Sequence, residues 1–277
     1  MVDMSPSRLL RYLTVQIRTA SAPGASWSGT GTGFHFGFQK GDQSAPLIIT
    51  NKHVLDGAAV IGLRLHKADE KGEPVSGPGE EVSFAVSDVP TILHPDPAVD
   101  LAAIPAAPII NMVRDQLGWK PYIYGVGADT IPTHRQWAEL GTLEDVIMAG
   151  YPTALGDAHN NLAIVRRGIT ATPANADYQG KREFLIDIAV FPGSSGSPVV
   201  ILNEGSFTTP QGISFGTRFH LLGLLYAGHY QRATGEIVTI PAPTTARTVA
   251  QVDQMIHLGI CVKSTRIKEL EKLLPGW

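Results

Sequence analysis

Apolar residues recur at every second position of this chain, in short bursts. Leu13, Val15 and Ile17 alternate with Thr14, Gln16 and Arg18; Phe34, Phe36 and Phe38 follow, then Ile61, Leu63 and Leu65, then Val82, Phe84 and Val86. A two-residue period puts all the apolar side chains of a segment on one face of a strand, and no helix can do the same. Glycines and prolines, 29 and 20 in 277 residues, are spread between the bursts instead of forming one tract. That spacing favours many short strands with frequent turns. Up to Leu101 no segment holds a helical period for more than a turn, so the first hundred residues predict one antiparallel barrel or sandwich.

From Pro105 the texture changes. Ile109, Ile110, Val113 and Leu117 have helical spacing, and an aromatic connector with Trp119, Tyr122, Tyr124 and Trp137 follows. Strand texture then returns in Val146 to Ala149, Leu162 to Ile169, Phe184 to Val190 and His220 to Tyr226. The expected organisation is a first β unit over 1–105, a linker with a helical segment over 106–140, and a second β unit over 141–277. Ile267, Leu270, Leu273 and Leu274 share a face behind Ser264, a plausible N-cap, so the chain is expected to end in a short α-helix.

Charge and composition narrow the partners. A formal net charge of −3 with no run of Lys or Arg argues against nucleic acid. Residues 1–17 are interrupted by Arg8, Arg11 and Gln16 and lack the apolar core of a secretory signal. No stretch approaches the roughly 18 apolar residues of a membrane span. The single cysteine, Cys261, forms no internal disulfide and suits a reducing compartment, so a cytoplasmic location is expected. The other histidines beside His53 are scattered singly, without an H-E-x-x-H pair, and neither a metal nor a cofactor is expected.

The chemistry concentrates in Ala189 to Val200. A strand with Phe184, Ile186, Ile188 and Val190 on one face runs into Pro192-Gly193, presents Ser194, Ser195 and Ser197, and leaves through Pro198. Such a turn aims a hydroxyl outward while its N–H groups converge, as a nucleophile beside an anion-binding nest requires. A serine hydroxyl is a weak nucleophile at neutral pH, so it needs a base and a third group that orients the base. His53 follows a buried strand and Asp100 precedes an apolar stretch; Asp96, between Pro95 and Pro97, is the alternative acid.

Gly31-Thr32-Gly33-Phe34, Ile49-Thr50-Asn51-Lys52-His53-Val54, Val99-Asp100-Leu101-Ala102, Ala149-Gly150-Tyr151-Pro152 and Pro192 to Pro198 together resemble the trypsin-like (chymotrypsin-fold) serine proteases. The likeness is to their bacterial, disulfide-free branch, which includes HtrA-type and glutamyl-endopeptidase-type enzymes, and covers roughly residues 10–265. The order His, Asp, Ser separates this group from other serine hydrolases. The resemblance implies an all-β fold of two six-stranded antiparallel barrels. It further implies an endopeptidase with His53 as general base, Asp100 as its orienting carboxylate and Ser195 as nucleophile. The N–H groups of Gly193 and Ser195 would form the oxyanion hole.

The same resemblance puts the floor of the P1 pocket at Ala189 and its wall at Leu225, Tyr226, Ala227 and Gly228. With no carboxylate at the floor and no cation on that wall, an apolar P1 residue of small to medium size is expected, Tyr226 narrowing the cavity. Asp187, on the same alternating face as Ala189, could still reach in. Ser194 stands where many secreted members carry an aspartate that pairs with a freshly cut N-terminus, so that form of activation is not expected. The Gly29 to Gly33 run lacks a following Lys-Ser/Thr and reads as close backbone packing, not a phosphate loop. Protein or peptide substrates are the expected partners, with the linker and the loop over 67–80 available to a regulatory protein. A catalytically silent scaffold on the same fold is the rival reading.

Overall fold

The computed structural model describes residues 5–209, 212–237 and 248–274. In chain order the elements are α1 (Pro6–Leu13), β1 (Thr14–Ala20), β2 (Gly29–Lys40), β3 (Gln43–Thr50), α2 (Lys52–Leu55), β4 (Val60–Lys67), β5 (Glu80–Ala85), β6 (Ile92–Leu93) and β7 (Ala102–Pro105). Then come α3 (Ala106–Gln116), β8 (Pro121–Tyr122), β9 (Val126–Gly127) and α4 (His134–Glu139). The rest are β10 (Asp145–Gly150), β11 (Ile164–Thr170), β12 (Glu183–Asp187), β13 (Pro198–Thr209), β14 (Gly212–Ile237) and β15 (Thr248–Lys263). A 3-10 segment, Ser264–Leu273, follows.

The second half closes as the resemblance implies: β10-β11-β12-β15-β14-β13 form a six-stranded antiparallel barrel, and β13 pairs back onto β10. Val146, Met148, Phe184, Ile186, Val199, Ile201 and Leu222 fill it. The first half differs from a six-stranded barrel. It is a nine-stranded sheet in the order β5-β4-β1-β2-β3-β7-β6, with β8 on β4 and β9 on β2. Its β6 edge is only two residues long, because Pro90, Pro95 and Pro97 lack the N–H that a longer ladder needs.

The alternation reads out as burial. Val15 and Ile17 of β1 face a core with Ile61, Leu63, Val82, Phe84 and, from α3, Ile109 and Val113. Phe34, Phe36 and Phe38 of β2 face a second core shared with Val200, Leu221 and Leu224 of the barrel. At about 1.5–3 kcal/mol for each fully buried large side chain, this shared core fixes the sheet against the barrel.

Two terminal expectations change. An eight-residue helix, α1, stands where no helix longer than a turn was expected and takes in Leu13 of the expected first strand, with Pro6 in its first turn and Leu10 and Leu13 in the shared core. Its spacing is helical for too few residues to register as a period, and tertiary packing supplies the rest. The C-terminal segment is 3-10, not α, and Ser264 does not cap it; Lys263 precedes it without a side-chain cap bond. Ile267, Leu270 and Leu273 are three residues apart, so three residues per turn puts them in line, and the first two are fully buried in the shared core. Among the described residues no helix is long and apolar enough to cross a membrane.

Candidate active site

Leu47, Ile48 and Ile49 bury β3 and deliver Thr50 and Asn51, both fully buried, into the one-turn α2 that carries His53. The Asn51 side-chain amide donates to the Asp100 carbonyl at 2.7 Å, and the Lys52 amine donates to the Asp96 carbonyl at 2.7 Å. These bonds fasten the proline-rich turn over 95–100 to the start of α2. Asp100 then engages His53 twice: Oδ1 accepts from the His53 backbone N–H at 3.2 Å, and Oδ2 lies 2.5 Å from Nδ1. A carboxylate accepts only, so Nδ1 carries the proton and Nε2 is left as the acceptor. The imidazole is 48% exposed and the carboxylate 21%, so the ring faces outward while its anchor is sheltered. Burial pushes the Asp100 carboxyl up, but the hydrogen bonds and charge of His53 outweigh it and hold the group below its usual value. Asp96 is engaged elsewhere, capping its own turn at Ala98 (2.9 Å) and lying 3.8 Å from Arg266.

The turn around Ser195 is built on two left-handed glycines, Gly193 at φ +84° and Gly196 at φ +85°. A Cβ on Gly193 would lie 2.6 Å from the Tyr151 carbonyl, and one on Gly196 would collide with the Thr32 carbonyl. Ser194 N–H donates to Phe191 (3.0 Å), Gly196 N–H to Leu225 (2.8 Å) and Ser197 N–H to Ser194 (3.0 Å). The N–H groups of Gly193 and Ser195 donate to no acceptor among the described residues. The Ser195 hydroxyl donates to the Tyr226 carbonyl at 3.5 Å; no hydrogen bond joins it to His53.

One residue of the Gly29 to Gly33 run ties the two parts together, a role beyond close packing. Thr32 of β2 donates from its N–H to the Ser195 carbonyl (2.8 Å) and from its hydroxyl to the Gly193 carbonyl (3.0 Å). That hydroxyl accepts from Tyr151 N–H (3.0 Å), and the Thr32 carbonyl accepts from the Thr50 hydroxyl (2.8 Å). Thr50 stands three residues before His53, so a short chain of bonds runs from the β3–α2 turn to Ser195. The signal in the sequence is a threonine between two glycines whose neighbours leave no room for a Cβ.

Of the residues assigned to the P1 pocket, Ala189 is half-buried and its carbonyl accepts from Arg166 at 2.6 Å. Leu225 is buried and is bonded through its backbone to Gly196 and Ser197. Tyr226 packs against the shared core; burial, with the Glu183 carboxylate beside it, raises its hydroxyl well above the usual value. Its hydroxyl is thus directed to Glu183. Ala227 and Gly228 are half-buried and pair with Ile260 and Gly259 of β15. Asp187 is exposed. Arg166 was not expected here; its signal is a charged residue on the inward-alternating positions of β11. Among the described residues no group of three or more His, Cys, Asp or Glu is placed to hold a metal.

Comparison of the sequence with curated proteins finds no significant match. Among solved structures, the chain is similar to an inactive form of the Ser343Ala mutant of Rv3671c from M. tuberculosis H37Rv. That match has 14% identity and a TM-score of 0.42, and covers 98% of this chain and 95% of the other. It is also similar to the HtrA-type protease AlgW with tripeptide, at 16% identity and a TM-score of 0.47, covering 97% of this chain and 63% of that one. The model of the trypsin-like peptidase domain matches residues 31–208, a span that runs from the glycines beside Thr32 through His53, Asp100 and Ser195, and the chain belongs to that family of serine peptidases.

Proposed function

We propose that the protein is an endopeptidase that works through an acyl-enzyme. In this reading the Ser195 hydroxyl attacks the carbonyl carbon of the scissile bond while His53 Nε2 takes its proton. The oxyanion accepts from the N–H groups of Gly193 and Ser195. Collapse expels the amine, which takes the proton from His53, and water then releases the acyl group from Ser195 by the same path. Asp100 holds the imidazole in the tautomer that can act as base and stabilises the imidazolium that forms. The observations that support the reading most are the two hydrogen bonds of Asp100 to His53, one to the ring and one to the backbone, and the turn at Ser195, where two N–H groups are uncommitted.

The fold that goes with this reading is a chymotrypsin-like double barrel, the nine-stranded sheet serving as the first. Residues 1–105 would carry His53 and Asp100, and 141–277 would carry Ser195, with 106–140 between them. The proposed P1 pocket has Ala189 as floor and Leu225 to Gly228 as wall, and takes an apolar side chain. Lone, buried Cys261 fits the cytoplasm.

A fluorophosphonate probe should label the wild type and not Ser195→Ala, and casein cleavage should vanish with the same substitution. The rival reading, a silent scaffold, draws on the Ser195 hydroxyl facing Tyr226 instead of His53. Catalytic hydrogen bonds often tighten only when substrate is bound. An unlabelled wild type with intact fold would favour the scaffold.

A further inference from the structure

Arg166 is a half-buried cation with no carboxylate partner among the described residues. One nitrogen, Nη1, donates both to the Ala189 carbonyl (2.6 Å) and to the Ser194 hydroxyl (3.1 Å), near the two ends of the turn that precedes Ser195. Nε and Nη2 are buried without a hydrogen-bond partner. Burial pulls its proton affinity down, yet a guanidinium stays charged in proteins. A buried cation without a counter-ion costs free energy, so this placement calls for a return elsewhere.

The return lies in the turn. Its own bonds run from Ser194 to Phe191 and from Ser197 to Ser194, and the left-handed Gly193 carries no side chain that packing could grip. The Ser194 side chain is fully buried and carries no charge. What holds it is the Arg166 guanidinium, which gathers Ser194 and Ala189 onto a single nitrogen.

We propose that Arg166 is a positioning residue: by pinning Ala189 and Ser194 it sets the Gly193 and Ser195 N–H groups on one point. The proposal rests on the reading of those N–H groups as the oxyanion donors. It adds that a fixed positive charge behind the turn favours the negative oxygen that forms in front of it.

The test compares wild type, Arg166→Ala and Arg166→Lys on a peptide amide, with a peptide boronate as transition-state mimic and Ser195→Ala as blank. Losing an oxyanion donor outright costs on the order of a hundredfold or more, so a loosened turn should lower kcat by about 10- to 100-fold in Arg166→Ala. KM should move by less than about threefold, since ground-state binding does not use the hole. Boronate affinity should fall in step with kcat/KM, and added guanidinium ion at non-denaturing concentration should restore part of the rate in Arg166→Ala only. Arg166→Lys keeps the cation and a donor for one of the two acceptors, so an intermediate loss is expected even where the alanine variant folds poorly. Unchanged kcat in the folded variants, or a changed P1 preference with full kcat on the new best substrate, would overturn the proposal while Ser195→Ala stays inactive. A wild type no more active than Ser195→Ala would overturn the site reading and this proposal with it.

Discussion

The backbone N–H of Thr32 donates to the carbonyl of Ser195 at 2.8 Å, so β2 of the first sheet is bonded directly to the turn that the barrel presents. The Thr32 hydroxyl serves two further buried groups, Gly193 O and Tyr151 N. Thr32→Val keeps the shape and leaves both without a partner, each at about 1–3 kcal/mol. Urea unfolding should show the lower stability, and kcat should fall with it. Thr32→Ser should retain most of both.

The 2.5 Å contact with Asp100 Oδ2 keeps the proton on His53 Nδ1. Asp100→Asn should therefore lower kcat by about 10³- to 10⁴-fold with little change in KM, the pattern expected when the base is left in the wrong tautomer. Single-turnover kinetics would separate this from a loss of substrate binding. Because the folded pKa of Asp100 lies below its ordinary value, the pair stabilises the fold above that ordinary value. The contribution is lost as pH falls through the folded one.

His35 gives a second acid response. Burial first, and the nearby His66 second, lower it from 6.5 to about 4, so it is buried neutral and its protonation opposes the fold. Stability is fully present above pH 6.5 and declines as pH falls from there toward about 4, by about 3 kcal/mol at the limit. Burial lowers His66 and His220 in the same direction. Urea midpoints should drop between pH 7 and pH 5, and the slope should be shallower in His35→Phe.

Glu144 and Arg218 form a pair at 2.6 Å with 9% and 14% of their side chains exposed. Glu144→Gln strands a sheltered guanidinium and should destabilise the barrel by about 3–5 kcal/mol, whereas replacing both partners with methionine should cost much less. A double-mutant cycle by chemical denaturation reads the difference.

Ile267 lies fully buried in the core shared by sheet and barrel. Ile267→Ala should cost about 2–5 kcal/mol and loosen the two halves against each other, seen as faster amide exchange in β2 and β14. A loss confined to the last ten residues would show instead that the C-terminal segment is an independent strap.

The sequence by itself determined the strands of both halves, because burial on one face of a strand leaves a two-residue period that can be read without coordinates, as at Phe34, Phe36 and Phe38. It also singled out His53, Asp100 and Ser195, since each sits in a short stretch whose residue types are matched to its chemistry. Only the tertiary structure decided that the first half is a nine-stranded sheet, that the last segment winds as a 3-10 helix, and that Thr32 and Arg166 grip the turn around Ser195. Those outcomes depend on contacts between separate elements, 161 positions apart for Thr32 and Gly193 and 28 for Arg166 and Ser194, or on which edge finds a partner. A side chain that acts by touching a distant backbone leaves no local period for a sequence to show.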